Sequence, residues 1–321
     1  MKYRILGKTG FKVSEIGFGV WGLGGDSYGP VDDNVSKKAL KLAFDLGVTF
    51  YDTSDLYGNG HSEEILGEVF KNVRDKVIIA TKGGTLPHTG FYMPQDFSAR
   101  HLKKALERSL KRLKTDYIDL YQLHSPTIAD IEENNVIEAL ENFKAQGKIR
   151  AYGISVRSPN DGKIAIEKYN FPVVQVNFNM IDQRAIENGL FDPSKEHETG
   201  IIVRTPLVFG YLTGKLDGNE QFKGIDHRAN WPKEQLKTWA SAPNLFSFLY
   251  KDKTPVQAAL RFCLDFEAVS TVIPGMMNIT EVEENVKTSE LKPLSPEEHQ
   301  YIQQLYQSHE FYDKSSKKVK K

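Results

Sequence analysis

Short apolar runs recur along the chain and alternate with segments whose apolar residues are three or four positions apart. The runs are almost continuously hydrophobic, which is typical of parallel strands buried on both faces. The segments between them have the spacing of amphipathic helices. The pattern therefore predicts alternating strands and helices, with strand candidates EIGFGVW, TFYDTSD, VIIATK, YIDLYQLH, IRAYGIS, VVQVNFN, IIVRTP and STVIPG.

The segment after Ser98 shows the helical spacing most clearly. Ser98 suits an N-cap because its hydroxyl can accept a hydrogen bond from a backbone amide of the first turn. The apolar residues that follow at intervals near three and four form one stripe, which consists of Leu102, Ala105, Leu106 and Leu113. We expect this helix to bury that stripe against the strands.

Eight strand candidates with about seven helices between them, and no Pro/Ser-rich linker, favour a closed (β/α)8 TIM barrel over an open doubly wound sheet. The leading MKYRILGKTGFKV predicts an additional hairpin, with its turn from Gly7 to Gly10, that caps one end. The stretch from Phe209 to about Lys251, after the seventh strand, predicts a long excursion over one mouth. We expect one α/β domain over residues 1–312 and a basic, disordered tail over 313–321.

Composition narrows the class of partner. The chain has 321 residues, with 42 basic and 42 acidic side chains, so no net charge would attract nucleic acid or an anionic membrane. The N-terminus lacks the apolar core of a signal peptide, and the single Cys263 cannot form an internal disulfide. We expect a cytoplasmic protein with a small-molecule partner, and the sequence leaves the oligomeric state open.

A glycine pattern near the N-terminus resembles a nucleotide-binding motif but lacks the structure that such a motif requires. Gly17, Gly19 and Gly22 match the dinucleotide-binding pattern G-x-G-x-x-G. That pattern requires a helix to begin at the third glycine, but the following LGGDSYGP cannot start one. These glycines therefore indicate a strand end with little bulk at the barrel mouth.

Ionisable residues lie at the ends of consecutive strand candidates. Asp52 follows TFY, Lys82 closes VIIATK, His124 closes YIDLYQLH, and Ser155 closes AYGIS, while Tyr57 lies just past Asp52. Singly, each has an ordinary structural explanation, such as a solvated lysine or a packed tyrosine. Together they indicate a site, because the carboxyl ends of barrel strands converge on one mouth.

These residue types suit a site that polarises a carbonyl oxygen. A neighbouring Lys82 ammonium should lower the pKa of Tyr57 and make it a better proton donor, while Asp52 holds Lys82 in place. His124 could hydrogen-bond the same oxygen. No Ser-His-Asp or Cys-His relay and no metal-ligand spacing is apparent, so we expect no metal and infer a bound hydride carrier.

At this point the sequence resembles the aldo-keto reductases over nearly its whole length. FYDTSDLYGNGHSEEILG, IIATKGG, TDYIDLYQLHSP, GKIRAYGIS and TPLVFGYLTGK occur in the family's order. The resemblance implies an NAD(P)-dependent oxidoreductase that reduces an aldehyde, ketone or sugar-like carbonyl, or oxidises the alcohol. It also implies that Asp52, Tyr57, Lys82 and His124 form the catalytic tetrad, with Tyr57 as general acid.

The resemblance further implies an extended NADP(H) or NAD(H) across the mouth. Ser155 and Gln175 would bind the carboxamide. The remaining cofactor contacts implied are Gly19, Trp21, Asp52, Arg204, Thr205, Pro206, Leu207, Gly210, Leu212, Lys215, Gly275, Met276, Met277, Asn278, Glu281, Glu284 and Asn285. Apart from the resemblance, Phe91, Tyr92 and Trp21 are candidate substrate-pocket walls or else pack under a loop, and we expect the long excursion with Trp231 and Trp239 to help shape the pocket.

Three departures from the family pattern carry information. Val156 replaces the asparagine that often follows the serine, and Arg204 stands where an aromatic residue often stacks on the nicotinamide. The family default is NADP, but residues 275–286 contain no basic side chain, and Glu281 would repel a ribose 2′-phosphate. We hypothesise dual or NAD-leaning use. An alternative function is that of a cofactor-sensing regulatory subunit, since some relatives are channel-associated β subunits.

Overall fold

A hairpin opens the computed structural model, which describes residues 1–88 and 92–312. Its two antiparallel strands are β1 (Tyr3–Ile5) and β2 (Lys12–Ser14). The turn includes Gly7, whose φ of +50° and close approach to the backbone amide of Gly200 exclude a side chain. Arg4 ties the hairpin to distant residues, donating from Nη2 to the Leu264 carbonyl at 2.6 Å and from Nη1 to the Val269 carbonyl at 2.8 Å. The predicted hairpin is confirmed.

Eight parallel strands form the centre of the molecule, and each predicted strand candidate overlaps one of them. Parallel bridges from Ile16 to Val272 and from Gly19 to Gly275 join the first strand of the sheet to the last and close the barrel. The predicted (β/α)8 architecture is therefore confirmed. The strands, in spatial order, are β3 (Phe18–Gly19), β4 (Phe50–Asp52), β5 (Ile78–Gly83), β6 (Ile118–His124), β7 (Ile149–Ser155), β8 (Val173–Asn177), β9 (Gly200–Arg204) and β10 (Val269–Val272).

Helices surround the barrel and connect its strands. The predicted N-cap is confirmed, since the Ser98 side chain accepts a hydrogen bond from the His101 amide. The helices are α1 (Asp33–Asp45), α2 (His61–Phe70), α3 (Ala99–Leu113), α4 (Ile128–Glu133), α5 (Val136–Ala145), α6 (Pro159–Glu167), α7 (Arg184–Glu187), α8 (Phe191–Glu196), α9 (Lys233–Leu245), α10 (Pro255–Leu264), α11 (Ile279–Lys287) and α12 (Pro296–Ser308).

Apolar side chains form two cores. The larger lies between the strands and the helix ring, and it includes the α3 stripe predicted from sequence. The smaller lies inside the barrel, where Phe50, Ala80 and Leu120 meet Leu6 and Val13 of the hairpin. The hairpin thus fills the amino-terminal end of the barrel, which leaves the carboxyl ends of the strands as the open mouth.

The segment between β9 and α10 is the predicted excursion. It contains α9, and Trp239 on that helix is buried. A hydrogen bond of 2.8 Å from the His227 amide to the Ser27 carbonyl joins it to the loop after β3. The excursion therefore lies over the mouth, beside the loops that follow the first strands of the barrel.

Some expectations fall outside the described residues. The basic tail 313–321 and Phe91 lie there. Cys263 is buried and unbridged, and burial raises the pKa of its thiol, so it packs in the core. Among the helices in the described ranges, none is both long and apolar enough to cross a bilayer.

Candidate active site

Lys82 is the centre of a buried polar cluster at the mouth. Its Nζ donates to Asp52 Oδ1 at 2.5 Å, to the Thr53 carbonyl at 2.7 Å and to Tyr57 Oη at 3.3 Å. The side chain is fully buried, and burial alone would lower the pKa of Lys82. The neighbouring Asp52 and Tyr57 outweigh burial and raise that pKa, so the group is an ammonium at neutral pH.

The second oxygen of Asp52 accepts two further hydrogen bonds from inside the barrel. Gln122 Nε2 donates to Oδ2 at 3.0 Å, and Gln175 Nε2 donates to it at 2.8 Å. Ser155 Oγ in turn donates to Gln175 Oε1 at 3.2 Å. Both oxygens of Asp52 thus accept hydrogen bonds, which hold the carboxylate in place and through it Lys82.

Tyr57 occupies a short turn that precedes α2, and burial controls the pKa of its phenol. The sequence predicts that Lys82 lowers this pKa. Burial has the larger effect and raises the pKa of Tyr57, although the Lys82 charge acts in the expected direction. The prediction of a lowered pKa is therefore wrong, because it omitted the desolvation of a phenol enclosed by the barrel mouth.

His124 lies edge-on to Tyr57, with ring centroids 5.9 Å apart and planes at 87°. Its Nδ1 is 3.1 Å from Ser54 Oγ. Burial, helped by the charges of Lys82 and Arg204, holds the pKa of His124 well below its usual range. The imidazole is therefore neutral at physiological pH.

A second buried polar cluster, around Glu63 of α2, lies next to the turn that contains Tyr57. Glu63 Oε2 accepts from Arg112 Nε at 2.7 Å, and its Oε1 accepts from Thr81 Oγ1 at 2.5 Å. Burial, with a contribution from Glu63, raises the pKa of Asp55 to about 7. The acidic residues near Tyr57 thus differ in function: Asp52 faces the lysine inside the mouth, whereas Asp55 lies beside the Glu63 cluster.

Many of the predicted cofactor residues lie at three neighbouring strand ends. Gly19 ends β3, residues 275–278 follow β10, and residues 205–215 follow β9. Gly19 and Gly275 pair directly, and a Cβ added to Gly275 would meet only the Gly19 carbonyl oxygen, at 4.0 Å. Open space therefore lies beside Gly275, whereas a Cβ added to Gly19 would come within 2.7 Å of the Ile273 carbonyl oxygen.

Glu281 has a structural partner that the sequence analysis missed. Its Oε2 accepts from the Met277 amide at 2.7 Å, and its Oε1 accepts from Asn278 Nδ2 at 3.0 Å. Asn278 caps α11 and accepts from the Glu281 amide. The Asn-x-x-Glu spacing, which resembles a capping box, could have indicated this pairing. Glu281 therefore also stabilises the start of α11.

A basic side chain reaches α11 from another part of the chain. Lys215 Nζ lies 3.5 Å from Glu284 Oε2. Considering residues 275–286 alone could not reveal this pair, because Lys215 belongs to the segment after β9. The adenosine side of the predicted site thus contains one cation and two carboxylates, those of Glu281 and Glu284.

Aromatic rings line one wall of the mouth. The Trp21 centroid is 6.2 Å from that of Tyr57, 5.4 Å from Tyr28 and 4.5 Å from His227. By contrast, Trp231 and Trp239 pack against each other in the excursion, with centroids 4.8 Å apart. Trp21, a pocket-wall candidate, therefore lies beside the polar cluster. Trp231 and Trp239 instead pack within the excursion.

Comparison with known proteins places this geometry in a family. The family model described as "Aldo/keto reductase family" matches residues 15–307. The chain belongs to the aldo/keto reductase family. It is 34% identical over 319 residues to "Uncharacterized oxidoreductase YqkF" of Bacillus subtilis (strain 168), with 96% of this chain and 99% of that protein covered.

Further aldo/keto reductase relatives agree with the fold. The solved holo form of aldo-keto reductase AKR11C1 from Bacillus halodurans superposes with a TM-score of 0.81 at 34% identity, covering 98% of this chain and 99% of that one. A "Probable voltage-gated potassium channel subunit beta" of Arabidopsis thaliana is 30% identical over 340 residues, covering 96% of this chain and 97% of that protein. This aldo/keto reductase is an oxidoreductase of a family that uses NAD(P)H, and carbonyl compounds are consistent with the family's substrates.

Proposed function

We propose that this aldo/keto reductase interconverts an aldehyde, ketone or sugar-like carbonyl and its alcohol, with Tyr57 as the proton donor in reduction. One observation carries the proposal. Lys82 Nζ, fully buried, lies between Asp52 Oδ1 at 2.5 Å and Tyr57 Oη at 3.3 Å. A cation at this distance stabilises a phenolate, so a proton can leave Tyr57 even though burial raises the pKa of its phenol.

The residues at the mouth fit a nicotinamide cofactor. Ser155 and Gln175 offer a hydroxyl and an amide side by side, as a carboxamide requires. The open space beside Gly275, which pairs with Gly19, leaves room for an extended chain. Residues 205–215 and 275–285 would hold the pyrophosphate and the adenosine. When bound, the cofactor supplies the hydride.

The side chains then divide the remaining work. Tyr57 donates its proton to the carbonyl oxygen, and Lys82 stabilises the phenolate that remains. His124, neutral and edge-on to Tyr57, can hydrogen-bond the same oxygen without adding charge. Asp52 positions Lys82, while Gln122 and Gln175 position Asp52. In alcohol oxidation the phenolate form of Tyr57, stabilised by Lys82, accepts the hydroxyl proton instead.

Binding and turnover of the purified protein test this function. Fluorescence titration with NADPH and NADH should show saturable binding, and absorbance loss with a panel of aldehydes and sugar ketones should show oxidation of the cofactor. Tyr57→Phe should lower kcat by about 10²- to 10⁴-fold with little change in cofactor affinity. Tyr152→Phe is the matched control, since its hydroxyl bonds Glu141 on the outer side of β7. Equal activity in the wild type and Tyr57→Phe would refute the proposed role.

For the cofactor we propose dual or NAD-leaning use. The carboxylate of Glu281, at the start of α11, would repel a ribose 2′-phosphate bound there, whereas Lys215 offers one opposing cation that already pairs with Glu284. Glu281→Gln should therefore increase NADPH affinity several-fold more than NADH affinity. Glu283→Gln removes the same charge from an exposed position of α11 and serves as control. A large preference of the wild type for NADPH in steady-state kinetics would rule out this proposal.

The channel-subunit relative supports a second candidate function, that of a cofactor-sensing regulatory subunit. The two candidates differ in a measurable way. A sensor would bind the nicotinamide cofactor tightly and leave it unoxidised with every carbonyl in the panel. Turnover that Tyr57→Phe abolishes would favour the enzyme.

A further inference from the structure

Arg204 is a cation at the mouth without an acidic partner. It ends β9, and its Nη2 donates to the Val156 carbonyl at 3.0 Å. Its Nε is buried and has no hydrogen-bond partner within the described chain. No carboxylate in residues 1–88 or 92–312 lies within 4 Å of it. Lys82, in contrast, is matched by Asp52.

The position of Arg204 relates it to the proposed carboxamide pair. Val156, whose carbonyl it contacts, directly follows Ser155, and Ser155 bonds Gln175. In the sheet register Arg204 pairs with Asn177, two residues beyond Gln175. The guanidinium therefore lies beside the subsite assigned above to the nicotinamide. Its charge opposes the rise that burial produces in the pKa of Tyr57 and adds to the lowering that burial produces in the pKa of His124.

A fixed positive charge there distinguishes the two redox states of a nicotinamide. The oxidised ring carries a positive charge and the reduced ring is neutral, so Arg204 repels the first and not the second. The pyrophosphate and the adenosine are common to both states, and their contacts cancel in the ratio of dissociation constants. Asp52 and Asp182 both act on the Arg204 charge and raise its pKa, against the lowering effect of burial. Asp52 already pairs with Lys82 and Asp182 with Arg184, so the Arg204 charge remains as a surplus at the mouth.

We propose that Arg204 shifts the bound nicotinamide couple toward its reduced form and so favours oxidation of an alcohol over reduction of a carbonyl. This inference rests on the proposed function. In the favoured direction the carbinol C–H bond breaks and its hydride, with two electrons, passes to the oxidised nicotinamide. The hydroxyl proton passes to the phenolate form of Tyr57, which Lys82 stabilises, and the alcohol becomes a carbonyl. The substrate class at this site is therefore a hydride-donating alcohol.

The test compares dissociation constants of the oxidised and reduced cofactor, measured by calorimetry or fluorescence with NAD⁺ and NADH. Arg204→Gln should lower the ratio Kd(NAD⁺)/Kd(NADH) by about tenfold, whereas Arg204→Lys, which keeps the charge, should preserve most of the ratio. Arg157→Gln is the matched control, because Arg157 is also at the mouth but donates to the Ser125 carbonyl.

The ratio Kd(NAD⁺)/Kd(NADH) distinguishes an electrostatic role of Arg204 from a structural one. If Arg204 only supports the fold through Val156, Arg204→Gln will weaken both forms equally and leave the ratio unchanged, which overturns the inference. An unchanged ratio with a raised KM for carboxylated or phosphorylated carbonyl substrates would also overturn it and make Arg204 a substrate-anion receptor. Failure of the wild type to bind either form would instead refute the proposed function.

Discussion

Two layers inside the same barrel, one inward-facing position apart, have opposite chemistry. The lower layer contains Phe50, Ala80, Leu120 and Val173, and the upper layer contains Asp52, Lys82, Gln122 and Gln175, two residues further along the same strands. None of these eight side chains belongs to a residue more than 2% exposed, so burial does not distinguish them. The lower layer stabilises by excluding water, whereas the upper layer removes ionised and polar groups from water and must compensate each one.

In this barrel the residues that stabilise the fold and the residues of the proposed active site lie two positions apart on the same strands. Because inward positions recur every second residue, each strand can supply an apolar group below and a reactive group above without a change of register. The upper layer is stable only as a complete set, since each member satisfies another. Perturbing the two layers should therefore have different consequences.

The largest effect is expected from breaking the ion pair in the upper layer. Lys82→Met should reduce the free energy of unfolding by about 3–5 kcal/mol, because Asp52 would keep a buried charge without its cation. The double variant Asp52→Asn, Lys82→Met should recover most of this loss while remaining inactive. Urea denaturation of both variants provides the measurement. A Lys82→Met protein as stable as the wild type would contradict the expected cost of breaking this ion pair.

The next effect concerns the lower layer. Leu120→Ala should destabilise the protein by about 2–5 kcal/mol, since it leaves a cavity in the barrel interior. The kcat of the molecules that remain folded should stay near that of the wild type. Denaturation and active-site titration at low temperature test both parts. If Leu120→Ala lost turnover but kept the stability of the wild type, the lower layer would not differ from the upper layer in its role.

The next inward-facing position of β6 after Leu120 and Gln122 is His124, and its effect on stability can be measured as a function of pH. The pKa of His124 is lowered in the fold, so below about pH 6.5 the unfolded chain binds a proton that the native protein does not. Stability is therefore lost as pH falls from about 6.5 toward the folded pKa, by up to about 1.4 kcal/mol per unit. Thermal or urea unfolding of His124→Gln should show a shallower acid slope. Parallel slopes for the two proteins would contradict a neutral, buried imidazole.

The smallest effect on stability is expected when the upper layer is made more like the lower. Gln122→Leu removes one donor to Asp52, but Gln175 still donates to the same oxygen, so stability should change by less than about 1.5 kcal/mol. Turnover should fall several-fold, up to about a hundredfold, because Lys82 is less well positioned. Steady-state kinetics with a constant cofactor Kd would support this; unchanged kcat would assign Gln122 to packing alone.

The sequence was sufficient for the barrel and for the candidate reactive groups, for a definite reason. Strand ends can be located from hydrophobic runs, and the topology of a parallel barrel brings those ends to one mouth. Asp52, Lys82 and His124 could thus be grouped before their distances were known.

Other features depend on contacts between residues far apart in the chain. Gln122 could have been noticed as a polar residue within an apolar strand, but its partner Asp52 is 70 positions away. The pKa of Tyr57 required the burial of its phenol, and the Lys215–Glu284 pair required the approach of two loops. The contacts of Glu281 are local, by contrast, so the Asn-x-x-Glu spacing was sufficient to predict its role in capping α11.

The hairpin that fills the amino-terminal end has a consequence for biosynthesis. Residues 3–14 leave the ribosome early, yet Arg4 binds carbonyls of Leu264 and Val269, more than 250 positions later. The hairpin cannot reach its final place until the last barrel strand has emerged. Throughout translation the inner apolar residues of the growing sheet therefore lack their cover, and the nascent chain exposes a surface on which chaperones can act.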